Sequence, residues 1–565
     1  MIADNDYISE QFSLLAKLMD IHGENSFKTK SYSIAAFTIE KLPQPLRDMP
    51  PEKFTSIKGI GDAIGKKIQE IINTGELSLL RKYIENTPPG VIEMLQIKGL
   101  GPKKIATIWK EMEIESIGEL LYACQENRLL LYKGFGEKTQ NNVRETIEFY
   151  QNSQGSRLYA DVDAYTESIQ DKLQKTFPSD RVAITGEFRR QLDIIDQLQW
   201  VTTITPDAIR DFFRSEGFTE VTADPGSNGT TIHFKGPEAI PLEFIHTPRE
   251  SFIATLLKTS SSPEFLQAWQ RHTNQDLSRT YATEEEIFSA ASIHFIPSFR
   301  REEPAIIEAA AKAPLPAYIQ PGDIRGIIHS HSDWSDGSNT LEQMARSCIE
   351  KGFEYLVISD HSKSAFYANG LKEDRIAAQH QLIDELNRQL APFVIFRSIE
   401  SDILNDGALD YADNILSTFD LVIASVHSNL KMNEEKAMTR VLKAIENPYT
   451  TILGHPTGRL LLSRPGYPLD HRKIIDACAA NKVVIELNAH PRRLDMDWRW
   501  IGYALDKGVL ISVDPDAHSI EGYNVIKYGA MAAQKGGLTR ERNLSSFGLA
   551  QFTEFLATRR KARGI

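Results

Sequence analysis

The stretch IIHSHSDWSDG, residues 327–337, decides the fold of the C-terminal part of this 565-residue sequence. An apolar run that begins at Ile324 leads into it and predicts a β-strand over residues 324–329. Because alternate side chains of a strand point to the same side, His329 and His331 can bind one metal ion together. The stretch therefore predicts a metal site where a strand ends.

The same arrangement, an apolar run followed by a residue of a metal-binding type, recurs along the rest of the chain. Further strands are predicted at residues 355–359, 394–397, 421–425 and 483–487, with helical stretches between them. This alternation predicts an α/β domain, a distorted βα barrel, over residues 323–565, with metal-binding residues at the carboxyl ends of its strands. Of the fourteen histidines, nine follow residue 325, at positions 329, 331, 361, 380, 427, 455, 471, 490 and 518.

Nine side chains near the predicted strand ends are candidate metal ligands. They are His329, His331, Asp336, His361, Glu400, His427, His455, Asp516 and His518. Any one such histidine is more often an isolated polar residue on a loop, but the whole set favours a metal site. Histidines with shared carboxylates suit zinc or manganese, and Glu400 can bridge two ions that activate water.

Arginines accompany these candidate ligands in the sequence. Arg459 in GHPTGR, Arg464, and the pair Arg492 and Arg493 in HPRRLD have the chemistry to neutralise a phosphate group in a transition state. Surface arginines are as often simply solvated. The arginines alone therefore leave both readings open.

The N-terminal part, up to about residue 150, predicts short amphipathic helices and contains an internal repeat. The motifs IKGIG (57–61), IKGLG (97–101) and YKGFG (132–136) each precede a helical run that carries lysine. Their glycines permit a tight turn that presents backbone N–H groups to a phosphate oxygen of DNA, although such turns also serve only to pack two helices. The candidate DNA-binding residues are Gly59, Gly61, Gly99, Gly101, Gly134, Gly136, Lys66, Lys103 and Lys138.

The domain boundaries follow from these patterns. Residues 1–85 are predicted to form a small helical domain with the first repeat, and residues 86–152 a helical region with the second and third. Residues 157–302, in which strands such as 182–185 and 231–234 alternate with helices, are predicted to be an α+β domain. The segment 303–322 begins as a helix, ends rich in proline and alanine, and is predicted to be a linker.

Composition limits the function further. The formal net charge of −12 argues against nucleic-acid binding that is driven by bulk charge, so contact with DNA has to be local. Cys124, Cys348 and Cys478 are too far apart for a disulfide framework or a thiolate zinc site. With no apolar run of membrane-spanning length and an acidic N-terminus, we expect a cytoplasmic monomer that makes no membrane contact.

These segments together resemble a known family. IIHSHSDWSDG, ISDHSKS, IESDIL, ASVHSNL, LGHPTGRLLLSRPGY, IELNAHPRRLD and DPDAHS are similar to the polymerase and histidinol phosphatase (PHP) domain in the form found in bacterial family X DNA polymerases. The resemblance extends over nearly the whole chain. It implies that the three repeats are helix-hairpin-helix motifs and that residues 157–302 form a polymerase palm and thumb, a nucleotidyltransferase domain.

For the barrel, the resemblance implies three divalent ions, zinc or manganese. The first would be bound by His329, His331, Glu400 and Asp516, the second by Glu400, His427 and His455, and the third by Asp336, His361 and His518. Glu400, Asp516 and Arg459 are expected to act in catalysis. One departure from the family is Ile327, where an aspartate usually precedes the two histidines; its absence removes a possible partner of a ligand.

For the polymerase centre, the resemblance implies two magnesium ions held by an Asp-x-Asp pair and a third carboxylate. The matching residues here are Arg190, Asp196 and Glu243, with Leu198 in place of the second aspartate and Glu187 in place of a serine. The Asp196 match requires the deletion of one residue, and pairing Asp193 with Asp196 would place them on opposite faces of a strand. Magnesium binding is therefore doubtful, and we expect a degenerate centre.

Three functions follow as hypotheses. The first is a metal-dependent phosphoesterase, a 3′-5′ exonuclease or 3′-end processor in DNA repair, with weak or no polymerase activity. The second is an active gap-filling DNA polymerase. The third is a DNA-binding scaffold whose barrel is inert or hydrolyses a small phosphate ester.

Overall fold

The computed structural model describes residues 4–42, 44–151, 155–221, 230–236, 240–273 and 277–565 and divides the chain into two units, Met1–Phe149 and Tyr150–Ile565. The described part of the first unit is helical, as the sequence predicts. Asp4 caps the first helix by accepting from the Tyr7 amide (2.9 Å), and Gly23 ends it at φ 80°. The helices are Asn5–His22, Ser26–Glu40, Asp62–Thr74, Ser78–Glu85, Pro89–Glu93, Pro102–Lys110, Ile117–Gln125 and Glu137–Gln151, with 3₁₀ turns at Leu46–Asp48, Pro51–Ser56, Met94–Gln96 and Arg128–Leu131.

The second unit begins with a mixed sheet, which we call the palm after the part that the resemblance predicts here. Its strands are β1 (Arg157–Leu158), β2 (Val182–Thr185), β3 (Ile194–Ile195), β4 (Leu198–Thr202), β5 (Thr219–Val221), β6 (Thr231–Lys235) and β7 (Pro241–His246). Five of them form one sheet in the order β2-β4-β7-β6-β5, in which only the β4–β7 pair is parallel, and β1 pairs with β3. The accompanying helices are Tyr159–Thr176, Gly186–Arg189, Pro206–Ser215, Phe252–Thr259, Pro263–Thr273 and Glu284–Ala290.

The segment 303–322 is not wholly a linker, contrary to the sequence-based prediction. Its first half forms the helix Ala305–Lys312, whose Ile306, Ile307 and Ala310 are buried in a core shared with the helices after the palm. The isoleucines at adjacent helical positions explain the difference, since they form an apolar face that burial stabilises. Ile319 is already buried in the core of the following domain.

The C-terminal domain is a barrel of parallel strands. These are β8 (Gly326–Ile327), β9 (Tyr355–Ile358), β10 (Val394–Asp402), β11 (Leu421–Ser425), β12 (Thr450–Leu453), β13 (Val484–Asn488) and β14 (Ile511–Asp514), each paired with its neighbour in chain order. A bridge between Ser330 and Ala517 joins the chain beyond β8 to the chain beyond β14. We refer to this bridge as the seam, and it nearly closes the ring. The fold class predicted for all three regions is confirmed.

Helices surround the barrel, and one covers its amino end. They are Leu341–Glu350, Glu373–Leu390, Asp413–Leu416, Glu434–Glu446, His471–Asn481, Ile501–Asp506, Ile526–Gly536 and Leu549–Arg563. Phe552 and Leu556 of the last helix pack in one core with Tyr355 and Phe396, which lie near the beginnings of β9 and β10. None of the described helices is both long and apolar enough to cross a membrane.

The inward positions of the strands change from apolar to polar towards the carboxyl end. In β11, Leu421 and Ile423 lie in the apolar core inside the barrel, and Ser425 and His427 follow at the same two-residue spacing. Along β11 and the two residues after it, the inward side chains thus pass from leucine to a histidine that is predicted to bind metal. This gradient places the polar site at one end of the barrel, over an apolar interior.

Candidate metal centre, palm and hairpins

All nine predicted metal ligands meet at the carboxyl end of the barrel. Glu400 lies inside β10, which extends five residues beyond its predicted end, and His427 and His455 follow β11 and β12 by two residues each. The seam places His329 and His331 next to Asp516 and the residues beyond it: the His331 amide donates to the Ala517 carbonyl (2.8 Å). All of these candidate ligands are buried except His427, which is partly exposed.

Glu400 is the common neighbour of the group. Its Oε1 lies 2.9 Å from His455 Nε2, 3.0 Å from His427 Nε2 and 3.3 Å from His329 Nε2. Its Oε2 lies 2.9 Å from His361 Nδ1 and 3.7 Å from His331 Nε2. One carboxylate therefore faces five imidazoles, as a bridging ligand would.

A second cluster forms around Asp336. Its oxygens lie 3.5 Å from Nε2 of His361 and 3.5 Å from Nε2 of His518. His331 completes a group of four whose ligand atoms lie within 4.8 Å of one another, and it also lies 3.1 Å from Asp516. His331 thus stands between two of the three predicted sets.

The donor set fits divalent ions. Nε2 of His329, Oε2 of Glu400 and Oδ2 of Asp336 are buried and make no hydrogen bond within the described structure. Buried polar atoms rarely remain so unless an ion or water binds them. Imidazole nitrogens mixed with carboxylate oxygens are the ligands that zinc and manganese accept.

The charge states of the site also suit cations. Burial opposes ionisation of Glu400, but His427, His329 and His361 outweigh it and hold the pKa of its carboxyl well below the usual range. Burial lowers the pKa of His455 to about 3, and Arg493 acts in the same direction. His455 is therefore neutral at physiological pH and offers a lone pair, next to a carboxylate that stays charged.

Two carboxylates bind the ring nitrogens of candidate ligands that face away from the centre, and neither was predicted from the sequence. Nδ1 of His329 donates to Glu486 in β13 (2.5 Å), and Nδ1 of His427 donates to Asp402. These bonds leave both Nε2 atoms directed at the centre. The signal for Glu486 is that β13 is the one barrel strand to which no candidate metal ligand is assigned. Ile327, the departure from the family, is buried in the outer apolar core.

Replacing Glu486 with Gln should weaken metal binding about 10–100-fold. Oε2 accepts from His329, while Oε1 accepts from the His455 amide (3.0 Å) and from Asn488 Nδ2 (3.1 Å). A glutamine has a single acceptor oxygen, so either His329 or the His455 amide and Asn488 lose their acceptor. If His329 loses its acceptor, the ring proton can move to Nε2, the nitrogen that should bind the ion. Titration calorimetry with manganese measures the change.

Glu354→Gln serves as the matched control, because this carboxylate pairs with Arg325 at the barrel surface, and its metal affinity should equal that of the unaltered protein. Unchanged affinity in Glu486→Gln would show that Glu486 does not orient His329.

The arginines do not all lie where a phosphate would need them. Arg459 donates to Asp497 (2.7 Å) and to the carbonyls of Arg493 (2.9 Å) and Leu494, and it lies 3.6 Å from Asp193 of the palm. These contacts occupy its guanidinium and argue against the catalytic role expected for it. Arg493, by contrast, is buried, and its Nε lies 4.0 Å from the ligand Asp516.

The palm corrects the register proposed for the polymerase centre. The parallel pairing of β4 with β7 sets Gln199 opposite Glu243, and the Gln199 amide donates to the Glu243 carboxylate. Leu198 is fully buried in the palm core, and Asp196 is exposed and accepts from Ser156 Oγ (2.6 Å). The side chain beside Glu243 is therefore the amide of Gln199. The family match, which deletes one residue, places Leu198 at this position instead.

The paired arginines of the palm are bound to carboxylates. Arg190 lies 3.4 Å from Glu302, and Arg189 lies 2.5 Å from Glu284, whose other oxygen is 2.6 Å from Arg301. Within the described residues, clusters of three or more neighbouring metal-ligand atoms occur in the barrel alone.

The three glycine motifs of the first unit have one geometry. Residues Gly59, Gly99 and Gly134 have φ of 93°, 93° and 96°, and each turn closes with a hydrogen bond of 3.0–3.1 Å from the residue after the glycine. That residue is buried each time, as Ile60, Leu100 or Phe135. The second glycine directly precedes a helix, so its exposed turn presents helix N-terminal amides. Gly61, Gly101 and Gly136 hold this position, and Lys66, Lys103 and Lys138 are exposed on the helices that follow.

Replacing Gly99 and Gly134 together with leucine should weaken DNA binding by about the same factor for every sequence, because the contact is to phosphate. An added Cβ meets no atom within 4 Å at either position, but the positive φ is unfavourable for leucine. Fluorescence anisotropy on several duplexes measures the effect.

Gly75→Ala is the control, since Gly75 also has positive φ (76°) and open space but ends a helix outside the motifs. Equal affinity in the double variant and the unaltered protein would mean that the motifs only pack helices.

A mixed sheet, a barrel with a cluster of candidate metal ligands and three glycine hairpin turns together fit a DNA-binding enzyme. The comparisons agree. A helix-hairpin-helix domain model matches residues 3–77, and a SAM-like helix-hairpin-helix tandem model matches residues 91–148. DNA polymerase/3′-5′ exonuclease PolX of Bacillus subtilis (strain 168) is 29% identical over 558 residues, covering 96% of this chain and 97% of the relative.

Phosphatases resemble the C-terminal part. A probable phosphatase of Thermoanaerobacter sp. (strain X514) is 24% identical over 253 residues, 42% of this chain and 96% of its own length. Probable phosphatase YcdX of Escherichia coli O81 (strain ED1a) is 26% identical over 207 residues, 34% of this chain and 78% of its own length. The chain is thus similar over almost its whole length to a bacterial DNA polymerase/3′-5′ exonuclease, and its two helix-hairpin-helix regions indicate DNA binding.

Proposed function

We propose that this protein is a metal-dependent phosphoesterase that shortens DNA strands from their 3′ ends in repair, and that its palm no longer polymerises efficiently. The observation that carries the proposal is that all nine candidate ligands meet at one end of the barrel, with five imidazoles around Glu400, whereas in the palm Gln199 binds Glu243. The relative from Bacillus subtilis is named for both polymerase and exonuclease activities. The residues of this chain support the second.

The residues of the barrel divide the work. Glu400 lies between the ligand sets of neighbouring metal positions and can bridge them. Glu486 and Asp402 fix the tautomers of His329 and His427. Asp516 and Arg493 lie side by side, so a phosphodiester that reaches Asp516 meets a guanidinium that can offset its charge. Three ions, zinc or manganese, would supply Lewis-acid activation of water when bound.

The helix-hairpin-helix motifs hold the DNA backbone without regard to sequence, because backbone amides and lysines contact phosphates alone. The palm adds a second surface that contacts DNA. It does not synthesise DNA efficiently, because a pair of magnesium ions needs carboxylates in near-octahedral geometry and Gln199 offers an amide. The protein would act as a monomer in the cytoplasm, on DNA ends or gaps.

The test incubates the full-length protein and manganese with 5′-labelled single-stranded and gapped DNA, with and without deoxynucleotides. Shortening of the labelled strand without deoxynucleotides is the expected result. Extension of the gapped strand would establish the polymerase instead. Intact DNA together with hydrolysis of p-nitrophenyl phosphate would establish a small-molecule phosphatase, and intact DNA without such hydrolysis a scaffold.

A further inference from the structure

A cavity of about 450 Å³ lies at the amino end of the barrel, opposite the end that holds the candidate metal ligands. On the barrel side it is lined by Val484, the first residue of β13, and by Leu510, which directly precedes β14. On the other side it is lined by one face of the last helix, Leu549–Arg563, where residues recur at intervals of three and four: Gln551, Phe555, Thr558 and Ala562. A cavity of this size accommodates a small molecule.

The described residues that line this cavity are mostly apolar and include one buried charge. Val509 and Phe547 are buried in its walls. Of the charged residues that line it, Lys482 and Glu554 are exposed, whereas Arg559 is only 4% exposed. Solvent and salt screen the two exposed charges, so the guanidinium of Arg559 determines the charge that a ligand in the cavity meets.

Arg559 pairs with no carboxylate in the described part of the chain. Its Nε donates to the Lys482 carbonyl (3.3 Å) and its Nη2 to the carbonyls of Pro448 (3.4 Å) and Thr450, whereas Nη1 makes no hydrogen bond to a described residue. Burial lowers the pKa of Arg559 to about 9, and two further arginines of the same helix act in the same direction. The guanidinium is still charged at neutral pH, and a buried charge without a partner of opposite sign is unfavourable.

Arg440, another buried arginine of the barrel domain, differs from Arg559 in both respects. All three of its guanidinium nitrogens donate to backbone carbonyls. Burial lowers the pKa of Arg440, and Tyr467 and Asp402 oppose that effect. Arg559 thus combines an unused nitrogen and an unbalanced charge with a position in the wall of a cavity, which is the combination expected of an anion-binding residue.

We propose that this cavity binds a small carboxylate with an apolar body, whose carboxylate pairs with Arg559 and whose body contacts the apolar wall. One carboxylate balances the one buried charge, and the apolar body is stabilised by leaving water. A phosphate monoester, with about two charges and three acceptor oxygens, needs more donors than one free guanidinium nitrogen and the exposed Lys482 provide. The site is separate from the phosphoester chemistry proposed for the other end of the barrel.

The test uses 4-phenylbutyrate as the probe and 4-phenylbutanamide, which has the same apolar body and no charge, as its control. Each is titrated into the full-length protein, and binding is followed by NMR of the small molecule. The carboxylate should bind saturably and at least about tenfold more tightly than the amide, because the amide cannot form an ion pair with Arg559. Arg559→Gln removes the charge and should bind the two compounds with equal affinity.

A matched pair of variants tests the cavity itself and leaves Arg559 in place, so the result holds even if Arg559→Gln does not fold. Ala562→Trp puts an indole into the cavity and should weaken binding of 4-phenylbutyrate at least about tenfold. Ala557→Trp adds the same group at an exposed position of the same helix that does not line the cavity, and it should leave the affinity unchanged. No saturable binding to the unaltered protein, equal affinity for carboxylate and amide, or equal losses in the two tryptophan variants would each overturn the proposal.

Discussion

Replacing His329 and His331 with alanine should abolish the release of nucleotides from DNA while leaving DNA affinity unchanged. Both imidazoles face Asp516 and Glu400 in the barrel, so the double variant removes ligands from the shared centre. A loss of about 4 kcal/mol or more of transition-state stabilisation corresponds to a rate at least about 10³-fold lower. The glycine turns that are predicted to bind phosphate lie in the other unit, Met1–Phe149, and should keep their structure. A nuclease assay and anisotropy on the same preparation measure the two properties.

His471→Ala is the control, because this histidine stacks on Trp500 at a ring distance of 4.8 Å and is not a ligand. It should keep nuclease activity. Nuclease activity retained in the double variant would mean that the barrel is not the hydrolytic centre.

The unaltered palm should incorporate no more than trace amounts of nucleotide on a gapped substrate, with magnesium or manganese. Gln199 lies where a carboxylate is needed beside Glu243, and a neutral amide contributes no charge to a pair of magnesium ions. Each lost interaction costs several kcal/mol of transition-state stabilisation at about 1.4 kcal/mol per tenfold in rate, so synthesis falls by orders of magnitude. Introducing a carboxylate with Gln199→Asp should raise incorporation in part.

The neighbouring position tests the register. Leu198 belongs to the palm core, so Leu198→Asp should destabilise the domain by about 3–5 kcal/mol and restore nothing. Thermal unfolding followed by circular dichroism distinguishes it from Gln199→Asp, which should unfold near the temperature of the unaltered protein. Robust extension by the unaltered protein, abolished by Asp196→Ala, would show that Asp196 is the catalytic residue and that Gln199 does not occupy a catalytic position.

Much of the metal centre could be predicted because its chemistry is local in sequence. His427 and His455 follow apolar runs by two residues, and parallel strands bring their carboxyl ends together, so a one-dimensional pattern specifies a three-dimensional cluster. Glu486 could not be recognised in this way. It lies within β13 itself, and its role depends on the other ring nitrogen of His329, more than 150 residues away.

Other differences between the predictions and the structure arise where contacts between distant residues determine which side chain faces the site. Whether Leu198 or Gln199 faces Glu243 depends on the pairing of β4 with β7, and a shift of one residue exchanges the buried and open faces of a strand. Arg459 and Arg493 both lie in short motifs near the candidate ligands, so the sequence alone does not show which of them could reach a phosphate. Only their contacts in the fold distinguish them. The segment 303–322 was predicted to begin as a helix, but the burial of the helix Ala305–Lys312 depends on a core to which distant helices contribute.

The seam gives metal binding an influence on folding. The Ser330–Ala517 bridge joins the first and last strands over very few residues, and His329, His331, Asp516 and His518 lie directly on either side of it. Cations that these side chains bind together cannot remain bound if the two chain segments separate. By mass action, each tenfold excess of free ion over its dissociation constant makes that separation about 1.4 kcal/mol less favourable. The availability of metal in the cell would therefore set how often the ring opens, and with it how long the protein survives proteolysis.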